Sequence, residues 1–153
     1  MRFLELKIPP VALGLLLTGL MWTTARLTPF CEFRLPAGPA LAAGLMLAGA
    51  GIAVAGVVSF RRAKTTVNPL APATASALVV TGIYRRTRNP MYLGMLLVLL
   101  SGAVLLANAL SLVWATAFIP LMNRLQIGPE EKVLAAKFGA GFAAYRAQVR
   151  RWC

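Results

Sequence analysis

The chain has 153 residues, of which 59% are hydrophobic and only 13% charged, with a mean hydropathy of +0.73. Roughly a quarter of the residues in an ordinary soluble domain are charged, so a soluble fold is excluded and a single membrane domain over residues 1–153 is expected. A net charge of +12 comes with no histidine and no aspartate, which excludes a zinc site and a Ser-His-Asp triad.

Arg2 and Lys7 precede the first apolar segment, residues 10–28, which Pro29 closes. The pattern resembles a signal peptide, but no small-x-small cleavage site follows. The segment is therefore expected to remain as a first membrane helix with a signal-anchor role. The second segment, residues 39–60, carries Ala40, Gly44 and Ala48 at a spacing of four, then Gly51 and Ala55. Small residues so spaced let helices approach closely in lipid, which predicts a packing face and not a site. Residues 61–89 form the one long polar connection, with turn-formers at Thr65-Thr66-Val67-Asn68-Pro69 and Pro72.

The third and fourth segments, residues 91–107 and 109–127, are separated by little more than Asn108. They should form a tight antiparallel hairpin, with a kink at Pro120. Each of the four segments is close to the ~20 residues that cross a bilayer. Beyond Glu131, the apolar positions Val133, Leu134, Phe138, Phe142, Tyr145 and Val149 predict an amphipathic helix along the membrane interface. Gly139 and Gly141 are candidates to break it in two. The expected fold is thus all-α: four membrane helices, the last two a hairpin, and a C-terminal interfacial helix.

Basic residues orient this arrangement. Arg26 and Arg34 flank the first loop, and the loop at Asn108 has none. By contrast Arg61, Arg62, Lys64, Arg85, Arg86 and Arg88 border the second loop, and Arg124, Lys132, Lys137, Arg146, Arg150 and Arg151 follow the fourth segment. The asymmetry places both termini and the long loop in the cytoplasm, with a bacterial inner membrane as the expected setting. Anionic head groups account for the positive charge without nucleic acid. On this topology Cys31 and Cys153 lie on opposite faces and form no internal disulfide.

Two polar motifs stand out. Asn89-Pro90-Met91-Tyr92 is a favoured helix start, with Asn as N-cap and Pro first in the helix; a helix start also attracts anions, and Arg88 adjoins it. Pro129-Glu130-Glu131 reads as another helix start with acids suited to the macrodipole. Yet these are two of only four acidic residues in the chain. On the expected topology both motifs face the cytoplasm, where donors and arginine on one side and carboxylates on the other would suit a zwitterionic amino-acid group.

The run from Ala77 to Tyr84, then Arg88-Asn89-Pro90-x-Tyr92-x-Gly94, and then Glu130-Glu131 with Leu134, Phe138-Gly139 and Tyr145 resembles the isoprenylcysteine carboxyl methyltransferases and the phospholipid methyltransferases. The resemblance implies S-adenosylmethionine-dependent methyl transfer to a membrane-embedded acceptor. It implies that residues 61–92 and 128–152 build the cofactor site, with Leu78, Val79, Gly82 and Tyr84 along the adenosine. Arg88, Asn89, Pro90 and Tyr92 would meet the methionine part, and Glu130 and Glu131 would close the site. Arg124 is the nearest match to an arginine that the family links to the acceptor. Asn89 stands where a histidine is frequent, Gly128 where bacterial members often carry arginine, and Phe142 where tyrosine is usual. Asn89 cannot titrate, so it relays no proton. A carboxylate acceptor needs no base; for an amine acceptor Glu130 is the nearby candidate. Partners would be membrane lipids and a lipophilic acceptor.

Two other readings compete. One is an NADPH-dependent membrane reductase of the sterol reductase type, although the acidic pair would repel a 2′-phosphate. The other is a non-catalytic membrane scaffold, which would bind no cofactor.

Overall fold

Proline stands in the first turn of most of the helices, a position that favours it. Pro10, Pro39, Pro90 and Pro129 do so in α1 (Pro10–Leu27), α2 (Gly38–Arg62), α3 (Pro90–Leu106) and α5 (Gly128–Gln148). The exception is α4 (Ala109–Met122), which begins with Asn108. The computed structural model describes residues 5–64 and 72–153; the turns expected at Thr65 to Pro69 lie outside them. Among the described residues there is no named strand, only an isolated bridge between Glu32 and Asn108. With 18 and 25 residues, α1 and α2 are long and apolar enough to cross a membrane. The 17-residue α3 is a shorter apolar helix.

Two ends of the helix bundle are fixed by hydrogen bonds. At one end, the Asn108 amide donates to the carbonyl and hydroxyl oxygens of Thr28 at 2.9 and 3.2 Å, and Phe33 N–H donates to Ala107 O at 2.8 Å. The α3–α4 turn itself needs Ala107 at φ 47°. Along the helices from there, Trp114 Nε1 donates to Thr24 Oγ1 at 3.0 Å and Ser111 Oγ to Met21 O at 3.1 Å. At the other end, Leu6 N–H reaches Leu125 O at 3.0 Å, tying the entry of α1 to the exit of α4. The core between them is Leu13, Leu17, Met21, Leu96, Leu99, Ala115, Phe118 and Met122, from α1, α3 and α4.

The packing face of α2 is not the one expected. Ala40, Gly44 and Ala48 are exposed, and a Cβ on Gly44 or Gly51 would meet nothing. The buried small residues are Gly38, Ala42, Gly49 and Gly56. A Cβ on Gly49 would lie 2.7 Å from Gly94 O, and one on Gly94 would lie 2.5 Å from Gly49 O. Ser101 seals the same seam by donating to Ala42 O at 2.8 Å. The helix carries two small-residue stripes, and the one facing α3 runs at a seven-residue spacing through Ala42, Gly49 and Gly56.

Two further expectations change at the C-terminal side. The fourth apolar segment does not run as one α-helix to Ile127: α4 stops at Met122, and Asn123–Ile127 is a π-turn. Nor is Pro129 a fresh helix start, because Ile127 and Gly128 already have helical dihedrals. Pro129 offers no N–H, and the chain absorbs this by widening the preceding turn, with Gly128 N–H bonded back to Asn123 O. A Cβ at Gly128 would lie 2.9 Å from that oxygen, so glycine suits the position. The expected break of the last helix occurs at Gly139, with φ 50° and ψ −123°.

Candidate functional site

The two sequence motifs meet at the end of the bundle opposite Asn108. From α3, Tyr92 Oη donates to Glu130 Oε1 at 2.6 Å. From the π-turn, Gln126 Nε2 donates to the same oxygen at 3.0 Å. Both donors are buried, at 7% and 1% exposure. The π-turn carries Gln126 to this point, and such turns recur at functional sites.

The neighbouring Glu131 has a different environment. Arg88 Nη2 bonds Oε1 at 2.7 Å, while Arg151 approaches with Nε at 3.1 Å from Oε1 and Nη2 at 2.5 Å from Oε2. The side chains of Arg88 and Glu131 are 10% and 11% exposed. The two acids therefore do not act as a doublet. Glu131 is over-matched by two guanidinium groups, whereas Glu130, among the described residues, has a hydroxyl and an amide but no cation.

Electrostatics follow the geometry. Burial pushes the Glu130 carboxyl up to about 7, against hydrogen bonds from Tyr92 and Gln126 that pull it down, and the Glu131 charge pushes it further up. Burial also pushes Glu131 up, but the hydrogen bonds and charges of Arg151 and Arg88 outweigh it and hold Glu131 below its ordinary value. Removing one partner of such a buried pair typically costs about 3–5 kcal/mol, because the other charge is left alone.

Asn89 does not cap α3. Its side chain makes no cap hydrogen bond; its amide donates instead to Arg151 O at 2.9 Å. Thr87 fills part of the gap, accepting from Asn89 N–H at 3.1 Å and donating to Arg151 O at 3.2 Å. Arg88 N–H donates to Arg150 O at 3.0 Å, and its Nη1 bonds the carbonyls of Val149 and Arg146. The C-terminal tail thus lies across the entry of α3. Arg88 Nε is buried and has no partner among the described residues. Pro90 is buried, with its Cγ 3.2 Å from where a Cβ on Gly56 would sit.

The expected adenosine residues lie beside this cluster. Val79 and Tyr84 are buried with Phe142 and Tyr145, and Leu78, Phe60 and Phe138 pack around them. Tyr145 Oη donates to Tyr84 O at 2.8 Å, and Phe60 meets the Tyr84 ring edge-on at 5.3 Å. Burial holds the Tyr84 phenol well above its ordinary value, with smaller pushes from Tyr145 and Glu130. Gly82 opens this segment at φ +62°, a conformation that glycine adopts without strain.

Arg124 stands apart: it lies on the π-turn but is exposed, and it makes none of the hydrogen bonds around Glu130. Three participants carried no local signal. Gln126 and Asn123 read as ordinary polar residues at the end of an apolar segment, and Arg151 as one more basic residue in a basic tail. Asn123 Oδ1 accepts from Trp152 Nε1 at 3.1 Å and from Arg151 Nη1 at 3.4 Å.

The sequence pattern of the family described as phospholipid methyltransferase matches residues 38–141. An uncharacterized protein of Haemophilus influenzae is 42% identical over 62 residues, which are 40% of this chain and 98% of that protein. No solved structure matches.

Proposed function

The chain belongs to the phospholipid methyltransferase family, and from that premise we propose that it transfers a methyl group from S-adenosylmethionine to a lipophilic, membrane-embedded acceptor. The observation that carries the reading is Glu130, a mostly buried acid that, in a chain with 16 Lys and Arg, has no cationic partner among the described residues. A buried carboxylate left so suits a ligand that brings positive charge or hydroxyl donors.

The residues fit the cofactor in two further respects. Arg88 Nε is an orphaned buried donor, suited to a carboxylate oxygen. The Arg88–Glu131–Arg151 cluster carries one net positive charge beside Glu130, so with Glu130 ionised the site complements the two charges of an amino-acid group. Leu78, Val79, Gly82 and Tyr84 would flank the adenosine, and Asn89, Pro90 and Tyr92 the methionine end.

Bound there, S-adenosylmethionine supplies an electrophilic methyl group on a sulfonium. The protein's share is orientation and proximity. Tyr92 and Gln126 hold Glu130 in place, and the tail across α3 holds Arg88. A carboxylate acceptor asks for no proton transfer. An amine acceptor must lose a proton, and Glu130, held near neutrality, can take it. Arg124, exposed on the π-turn that carries Gln126, is the candidate contact for the acceptor's polar group.

The membrane setting follows the same reading. α1 and α2 cross the bilayer, the shorter α3 and α4 form the returning hairpin, and the second half of α5 rests on the interface. The charge asymmetry puts the Glu130 end and both termini in the cytoplasm of a bacterial cell. The reductase and scaffold alternatives find no support in the family match.

Calorimetric titration of the detergent-solubilised protein with S-adenosylhomocysteine tests the proposal. Saturable binding that is lost in Glu130→Gln is the expected result. Binding of NADPH in its place, or no loss on the substitution, would overturn it. Lipid profiling of cells fed isotopically labelled methionine, with and without the protein, would then identify the acceptor.

A further inference from the structure

The C-terminal tail holds Arg88 in the proposed mechanism, but Arg151 within it has no role of its own there. An arginine in a basic stretch such as Arg146, Arg150 and Arg151 is ordinarily a solvated charge. Arg151 instead engages three separate elements at once. Its guanidinium forks onto both oxygens of Glu131 at the start of α5, with Nε 3.1 Å from Oε1 and Nη2 2.5 Å from Oε2. Its Nη1 reaches Asn123 Oδ1 on the π-turn at 3.4 Å. Its own carbonyl accepts from Thr87 Oγ1 and Asn89 Nδ2 at the start of α3.

The charge count gives this arrangement a consequence. With Arg88 alone, Glu131 would be neutralised one to one, and no net positive charge would face an incoming carboxylate. Arg151 supplies the second guanidinium. It makes the cluster net cationic and occupies the Glu131 oxygens that would otherwise draw Arg88 further from a ligand. Charge-assisted, two-point bonds of this kind fix geometry as well as sign.

We infer that Arg151 is a positioning residue that makes the site selective for a ligand bearing an amino-acid group. It does so by holding Glu131 and Asn89 so that Arg88 can serve the ligand's carboxylate. This inference rests on the cofactor reading above, and its test separates the two. Binding of S-adenosylhomocysteine is compared by calorimetry with binding of 5′-methylthioadenosine, which has the nucleoside but no amino-acid group.

Loss of one charge-assisted bond network should weaken S-adenosylhomocysteine binding to Arg151→Ala roughly 10- to 100-fold while leaving 5′-methylthioadenosine within about twofold. Arg151→Lys keeps the charge without the fork and should fall between, recovering part of the loss. It also preserves the test if Arg151→Ala does not fold, as judged by thermal unfolding without ligand. Equal weakening of both ligands would reduce Arg151 to a structural tie and overturn the inference, as would no weakening of either. Failure of the unmodified protein to bind S-adenosylhomocysteine would sink the cofactor reading, and this inference with it.

Discussion

Two helices in this protein begin with asparagine, and they use it in opposite ways. Asn108, at one end of the bundle, is fully buried and caps its own helix, accepting from Leu110 N–H at 3.0 Å and Ser111 N–H at 3.3 Å. Its amide then ties α4 to Thr28 at the end of α1. Asn89, at the other end, leaves its helix without a side-chain cap and reaches 62 residues along the sequence to Arg151 O. Every local rule is obeyed at Asn108 and one is broken at Asn89. Departures from local preference concentrate where a structure serves something other than its own stability, and here the departure coincides with the cluster of charges.

That contrast can be broken by experiment, and the largest effect belongs to the obedient end. Asn108→Ala removes a cap and leaves Thr28 O and Leu110 N–H short of partners, while Ser111 N–H keeps the Asn108 backbone carbonyl, at a cost of about 3 kcal/mol. Equilibrium unfolding in detergent should show it, while S-adenosylhomocysteine affinity of the folded protein stays unchanged. A loss of affinity there would mean that the two ends are not separable.

The second effect is a pH signature confined to the Glu130 end. Glu130 has a folded pKa of about 7 against an ordinary 4.5. The folded state therefore holds its proton more tightly, and stability falls as pH rises from 4.5 to 7, by at most about 3 kcal/mol. Glu131 is shifted the other way, so its contribution is lost as pH falls below 4.5. Unfolding measured across pH should show a maximum between the two limbs. Glu130→Gln should remove the upper limb alone; a limb that survives the substitution would place the titrating group elsewhere.

The smallest effect sharpens the comparison most. Asn89→Ala sacrifices no cap, so unfolding should move by about 1 kcal/mol or less. Affinity for S-adenosylhomocysteine should nevertheless fall about tenfold, since a side-chain tie between α3 and the tail is lost. A variant that unfolds as easily as Asn108→Ala but binds normally would show Asn89 to be a structural cap after all.

Much of this was legible in the chain itself. Apolar segments separated by polar loops gave the helices, because length and hydropathy are local properties. The Asn89-Pro90 pair marked where a helix begins, for reasons contained within a few residues, whereas Pro129 did not, because the turn before it is already helical. The pairing of the Arg88–Tyr92 and Glu130–Glu131 motifs was also readable, since a helical hairpin returns the chain to the end where it started. The stripe of α2 that packs was not. Ala40, Gly44 and Ala48 meet the spacing of four that the small-residue rule asks for, whereas Ala42, Gly49 and Gly56 run at seven, and it is the position of α3 that selects the latter.

Sequence by itself determined an apolar helical chain of the methyltransferase family, with scarce acids placed beside scarce helix-start motifs. Tertiary structure alone decided that adjacent glutamates live in opposite environments, one clamped by Arg88 and Arg151 and one left to Tyr92 and Gln126. Successive residues of a helix point about 100° apart, so neighbours in sequence face different partners, and which partners those are depends on chain segments tens of residues away.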